Sequence, residues 1–114
     1  MMNDLADMLL RRVYHPIIAV ICADGNDHIV HIELLDALFA DTRNVTISDA
    51  ERIYLVFSHP DGRQRMTREE MAVLAQIEEQ AGKADLHVFL YNEDDGLLEV
   101  DRKPKVEYNG ENVI

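Results

Sequence analysis

Four of the five glycines in this 114-residue chain directly follow an aspartate or an asparagine. The pairs are Asp24-Gly25, Asp61-Gly62, Asp95-Gly96 and Asn109-Gly110. Such dipeptides between apolar runs favour β-hairpins, because both residues tolerate the positive φ that tight turns require. The fifth glycine, Gly82, closes a helical pattern, so no glycine is left for a phosphate loop or a nucleophile elbow. The pattern predicts a scaffold of hairpins and helices.

Hydrophobic periodicity places the elements between these turns. It predicts helices at residues 4–13 and 33–40 and a third that begins after Thr67 and ends at Gly82. Thr67 and Glu70 have the spacing of a capping box. Strands are predicted at residues 17–22, 28–32, 52–58, 63–66, 86–91 and 97–101, with a brief edge strand at 45–47 and a last hairpin at 105–114.

These elements predict an α+β fold. The expected architecture is a mostly antiparallel sheet built from the Asp/Asn-Gly hairpins, with two or three helices packed on one face. An alternative stays open, because residues 17–22 and 52–58 are apolar on both alternating sides, as strands of a covered parallel sheet are. In that alternative, crossover helices connect 17–22, 52–58 and 86–91 as parallel strands. The turn chemistry favours the hairpins.

Length and composition predict one acidic α+β domain over residues 1–114. Hydrophobic residues make up 47% of the chain and charged residues 29%, which is ordinary for a folded protein. No apolar run approaches the roughly 20 residues that span a bilayer, and the acidic start is unlike a secretory signal. The single cysteine, Cys22, cannot form an internal disulfide. A cytoplasmic location is therefore expected.

Charge gives the strongest indication of function. The chain has 22 acidic and 11 basic residues and a net charge of −11. This balance disfavours direct binding to nucleic acid or to anionic membranes and favours association with basic surfaces. The last 30 residues alone hold eight acidic and three basic residues.

We therefore predict a non-catalytic binding protein that engages and inhibits a basic partner, such as a nuclease, another nucleic-acid-handling protein or a toxin. Immunity and anti-defence proteins often have this size and charge. Glu99 and Asp101 share one strand face, the turn acids extend it, and tyrosine is enriched at interface hot spots. The predicted contact residues are Tyr91, Glu93, Asp94, Asp95, Glu99, Asp101 and Tyr108.

Two other functions remain open. Arg63, Arg65 and Arg68 surround Thr67 at a predicted helix start, where they could form an anion or nucleotide site, or the site of a small enzyme. The chain could also be a homo-oligomeric accessory subunit that covers an edge strand by symmetric pairing.

A metal site formed by Cys22, His28, His31 and Glu33 is not expected. Imidazole and thiolate are zinc ligands, but residues three apart on a strand point to opposite faces, so His28 and His31 do not converge. A cysteine in a buried strand is usually an inert apolar residue. We predict no metal, no cofactor and no catalytic residue.

Overall fold

The computed structural model describes residues 2–36, 47 and 50–100, which form an α+β fold. The described elements, in chain order, are α1 (Met2–Leu10), β1 (Ile17–Ala23), β2 (Ile29–Asp36), β3 (Arg52–Ser58), α2 (Arg68–Ala81), β4 (Asp85–Asn92) and β5 (Gly96–Glu99). Neither of these two helices is long and apolar enough to cross a membrane.

The five strands form one mixed sheet in the order β2-β1-β3-β4-β5. β1 pairs antiparallel with both β2 and β3, and β5 pairs antiparallel with β4. β3 and β4 are parallel, because α2 returns the chain from the end of one to the start of the other. The alternative prediction of parallel strands is therefore correct for β3 and β4, whereas β1 is antiparallel to β3.

The prediction that the helices pack on one face is wrong, since the sheet has a helix on each side. On one face Ala6 and Leu10 of α1 pack on apolar residues of the sheet that include Ile21 and Val56. On the other face Val73 and Ile77 of α2 pack on a cluster from β1, β3 and β4. Both faces of the central strands are thus buried, which explains why β1 and β3 are apolar on both alternating sides.

The hairpin prediction is not confirmed as a whole. Asp24-Gly25 and Asp95-Gly96 do connect antiparallel neighbours, β1 with β2 and β4 with β5. Asp61-Gly62 instead belongs to the crossover into α2, and residues 63–66 form no strand. β3 already has β1 at one edge and β4 at the other, so no return strand could pair with it there. Asn109-Gly110 lies outside the described residues.

The predicted helix at residues 33–40 is also wrong over its first part, because β2 continues to Asp36. Glu33 pairs with Val20 and Leu35 with Ile18, in register with β1. The apolar residues of this segment fit both the helical and the strand periodicity, and pairing with a neighbouring strand decides in favour of the strand. Residues 37–46 lie outside the described part of the chain, as does most of the edge strand predicted around Val45.

The capping box of α2 is confirmed. The side chain of Thr67 accepts a hydrogen bond from the Glu70 amide (3.1 Å), and the Glu70 carboxylate accepts one from the Thr67 amide (2.7 Å). Gly82 follows the helix with φ of +60°, a conformation that glycine adopts with little strain. These contacts fix where α2 begins, next to the end of β3.

Candidate functional site

An exposed acidic turn follows β4 and consists of Glu93, Asp94 and Asp95. The side-chain oxygen of Asn92 accepts hydrogen bonds from the amides of Asp94 (2.9 Å) and Asp95 (2.8 Å). An asparagine that bonds the backbone two residues on is a common way to fix a turn. The three carboxylates are therefore held on an ordered backbone rather than on a loose loop.

Glu93 connects the acidic turn to the end of α1. Its Oε1 accepts a hydrogen bond of 2.7 Å from the backbone amide of Arg12, although the two residues lie 81 positions apart. Arg12 follows α1 with φ of +64°, a left-handed conformation that stops the helix. This contact places the residues after α1 beside the acidic turn.

A small groove of about 60 Å³ lies between the acidic turn and the residues that follow α1. Its lining includes Tyr14, Pro60, Glu93 and Asp94. Tyr14 is 74% exposed, which is high for a tyrosine. Tyr14 is not among the contact residues predicted from the sequence, although its place outside the apolar stripe of α1 and before His15-Pro16 is a signal of exposure.

Tyr91, which the sequence suggested as an exposed aromatic anchor, is buried instead and is only 2% exposed. Its ring packs under α1, and its hydroxyl donates a hydrogen bond to Asp7. Burial and the bond to Asp7 raise the pKa of Tyr91 to about 12. Tyr91 supports the acidic turn from inside. Asp101 and Tyr108 lie outside the described residues.

Glu99 belongs to a second cluster, on the face of the sheet that α1 partly covers. It lies 3.4 Å from Nδ1 of His87, and Asp85 lies 3.0 Å from Nε2 of the same ring. The His87 ring stacks on Tyr54 with 5.5 Å between centroids. Burial lowers the pKa of His87, but the hydrogen bonds to Asp85 and Glu99 outweigh it and raise the pKa overall.

The predicted arginine cluster does not converge on one site. Arg63 pairs with Asp61, at 3.2 Å between guanidinium and carboxylate, and both side chains are exposed. Arg63 and Thr67 line a cleft of about 330 Å³ at the start of α2, whereas Arg65 and Arg68 do not. Three carboxylates, those of Asp61, Glu69 and Glu70, line the same cleft. These carboxylates make the cleft unfavourable for an anion.

A buried pair of His59 and Glu70, missed by the sequence analysis, forms part of the cleft wall. The Nε2 atom of His59 lies 2.7 Å from Oε2 of Glu70, and Nδ1 lies 2.7 Å from the carbonyl oxygen of Arg63. Both ring nitrogens thus face acceptors, and the hydrogen bond to Glu70 raises the pKa of His59. Neither nitrogen is free to take a proton from a substrate, so the pair is arranged to hold structure rather than to act as a general base.

Cys22, His31 and Glu33 share a sheet face, and Nε2 of His31 lies 2.7 Å from Glu33. His28 lies in the preceding turn, 3.6 Å from Asp24. Across residues 2–36, 47 and 50–100, no three His, Cys, Asp or Glu side chains are placed to hold a metal ion. Burial, together with the charge of Glu33, raises the pKa of the Cys22 thiol, which makes it a poor nucleophile.

The chain matches no protein-family model and no curated protein sequence at a significant level. Functional assignment therefore depends on the geometry of the acidic turn and of the surface next to it.

Proposed function

We propose that the chain is a cytoplasmic, non-catalytic binding protein that attaches to a basic protein partner and inhibits it. The partner is a nucleic-acid-handling protein or a toxin, as for immunity and anti-defence proteins. The contact surface consists of the acidic turn (Glu93, Asp94, Asp95) with Tyr14 and Pro60 across the small groove. This surface differs from the one predicted from the sequence. Tyr14 replaces Tyr91 as the aromatic contact, Glu99 belongs to the His87 cluster instead, and Asp101 and Tyr108 lie outside the described residues.

One observation carries this proposal: three exposed carboxylates lie on a hydrogen-bonded turn, and two of them, Glu93 and Asp94, line a groove together with the exposed Tyr14. A turn that is ordered before binding loses less conformational entropy when the partner arrives. Charge complementarity speeds the encounter, and the aromatic ring supplies contact area that charges on a rim do not. The net charge of −11 adds a long-range attraction to basic proteins.

The test compares two variants that lose the same charge. The variant E93Q/D94N/D95N removes three negative charges from the acidic turn and keeps oxygen acceptors at each position. The control D4N/E51Q/E79Q removes three charges from exposed residues elsewhere. The probe is a nona-arginine peptide, whose affinity is measured by calorimetry at low and moderate salt.

Loss of the turn charges should weaken binding about tenfold, whereas the control should weaken it about twofold, since exposed ion pairs contribute roughly 0.2–1 kcal/mol each. Equal losses in both variants would show that only net charge matters. That result would remove the acidic turn as a specific contact surface.

A symmetric dimer is the second candidate, because Val30 and Leu34 of β2 are exposed (58% and 50%) at the edge of the described sheet. Exposed apolar edge strands tend to pair with another chain. Light scattering of the purified protein distinguishes the two functions. A dimer that V30E/L34E converts to a monomer would support the accessory-subunit alternative.

A further inference from the structure

The proposed contact surface leaves a cleft at the start of α2 unexplained. It has a volume of about 330 Å³ and lies where β3 ends and the crossover to β4 begins. In sheets with crossover helices, ligands commonly bind outside the carboxyl ends of the strands. The volume is at the small end of the range for ligand pockets and suits one long side chain.

The walls of the cleft combine apolar surface with an excess of negative charge. Tyr14, Pro16 and Pro60 supply the apolar part. Asp61 comes from the loop after β3 and Glu69 from the first turn of α2, and both are exposed. The backbone amide of Arg63 lowers the pKa of Asp61, so this carboxylate stays ionised at neutral pH.

The cations of the cleft are already compensated. The guanidinium of Arg63 lies 3.2 Å from the Asp61 carboxylate, and His59 is paired with Glu70. Glu69 therefore adds a negative charge that no further cation offsets among the described residues that line the cleft. The net negative charge of these lining residues attracts a positively charged group, and it exceeds the opposing half-charge at the N-terminus of α2.

We infer that this cleft receives an arginine or lysine side chain of the basic partner, with Tyr14 as its aromatic wall. This inference rests on the proposed function and adds a specific pocket to it. Tyr14 and Pro60 line both the cleft and the small groove beside the acidic turn, so a bound chain can contact both. The aliphatic stem packs on the prolines, and the cation lies over the tyrosine ring near Glu69.

The test uses the nona-arginine probe and pairs of matched variants. Y14L removes the ring but keeps apolar volume, whereas Y14F keeps the ring. E69Q removes a charge in the cleft, whereas E79Q removes one from the exposed side of α2 farther along the helix. We expect Y14L to bind about fivefold and E69Q about threefold more weakly than the parent, with a smaller loss in Y14F than in Y14L and no measurable loss in E79Q.

The variant R63Q distinguishes a cation-binding cleft from the alternative of an anion-binding site. R63Q should strengthen binding of the arginine probe about threefold, because it removes a like charge from the cleft. Inorganic phosphate that stabilises the parent against heat, with the effect lost in R63Q, would contradict the inference.

The two proposals can fail separately. If E69Q binds the probe as the parent does while Y14L and E93Q/D94N/D95N bind it more weakly, the cleft is not the pocket and the acidic turn with Tyr14 remains the contact surface. If the parent does not bind the probe at all, both proposals are wrong.

Discussion

His59 and Glu70 join the end of β3 to the first turn of α2 through a buried contact of 2.7 Å between Nε2 and Oε2. Their side chains are only 5% and 4% exposed. The carbonyl oxygen of Arg63 can only accept, so Nδ1 donates to it, and the hydrogen bond to Glu70 raises the pKa of His59, which favours the doubly protonated ring beside Glu70. This contact holds the start of α2, and with it the cleft, in place against the sheet.

Breaking this pair should destabilise the fold strongly. In E70Q the buried imidazole loses its carboxylate, and removal of one partner of a buried ion pair costs about 3 kcal/mol. Urea unfolding measures this loss, and the exposed E79Q in the same helix should cost well under 1 kcal/mol. An E70Q protein as stable as the parent would show that the contact does not form in solution.

The same pair predicts how stability depends on pH. The pKa of His59 is raised in the folded state above the usual 6.5, chiefly by the hydrogen bond to Glu70. Its contribution to the free energy of unfolding is therefore fully present below pH 6.5 and is lost as pH rises through the folded-state pKa. The charged groups around the ring are Glu70, Asp61 and Arg63.

The measurement is the unfolding free energy of the parent and of E70Q between pH 6 and pH 9. His87 also has a raised pKa, but it is present in both proteins, so the difference between the two curves isolates the His59 pair. The difference should shrink as pH rises. A constant difference would mean that His59 does not titrate in this range.

Removing the Tyr91 hydroxyl should lower the stability of the fold and leave the affinity for the probe unchanged. Y91F loses the hydrogen bond to Asp7 but keeps the buried ring, so the fold should lose about 1 to 2 kcal/mol while the affinity for nona-arginine stays unchanged. A large loss of affinity in Y91F, without unfolding, would return Tyr91 to the contact surface. Spectroscopic titration should also find one tyrosine that ionises near pH 12.

Cys22 should react slowly with thiol reagents in the native protein. The thiol is 1% exposed, and burial together with the charge of Glu33 raises its pKa, so little thiolate is present and little of it is accessible. We expect rapid reaction only after denaturation. Fast, stoichiometric labelling of the folded chain would contradict the placement of β1 between two covered faces.

Local signals in the sequence predicted the elements better than their arrangement. The capping box of Thr67 and Glu70 and the apolar runs of β1 and β3 depend on residues close in the chain, and these elements were predicted correctly. The strand that follows β3 was not predicted correctly, because a turn such as Asp61-Gly62 fits a crossover as well as a hairpin. Which strands become neighbours is decided by long-range pairing that no local pattern encodes.

The site could be predicted only in part for the same reason. The exposed acids of the turn follow from an Asn-Glu-Asp-Asp-Gly segment between two strands. Tyr14 and Glu93 come together only through the bond of Arg12 to a residue 81 positions away. The side chain of Tyr91 lies on the face of the sheet that α1 covers. The sequence does not indicate which of the two faces of β4 a helix covers. His59 and Glu70 meet because the crossover turns back toward β3.

Amide chemical-shift mapping of the nona-arginine complex tests the central proposal most directly. If the acidic turn is the contact surface, the largest changes should fall on Glu93, Asp94 and Asp95 and on Tyr14, with small changes along the exposed side of α2. If the changes spread evenly over the exposed acids, or centre on Asp85 and Glu99, the acidic turn is not where a basic partner binds.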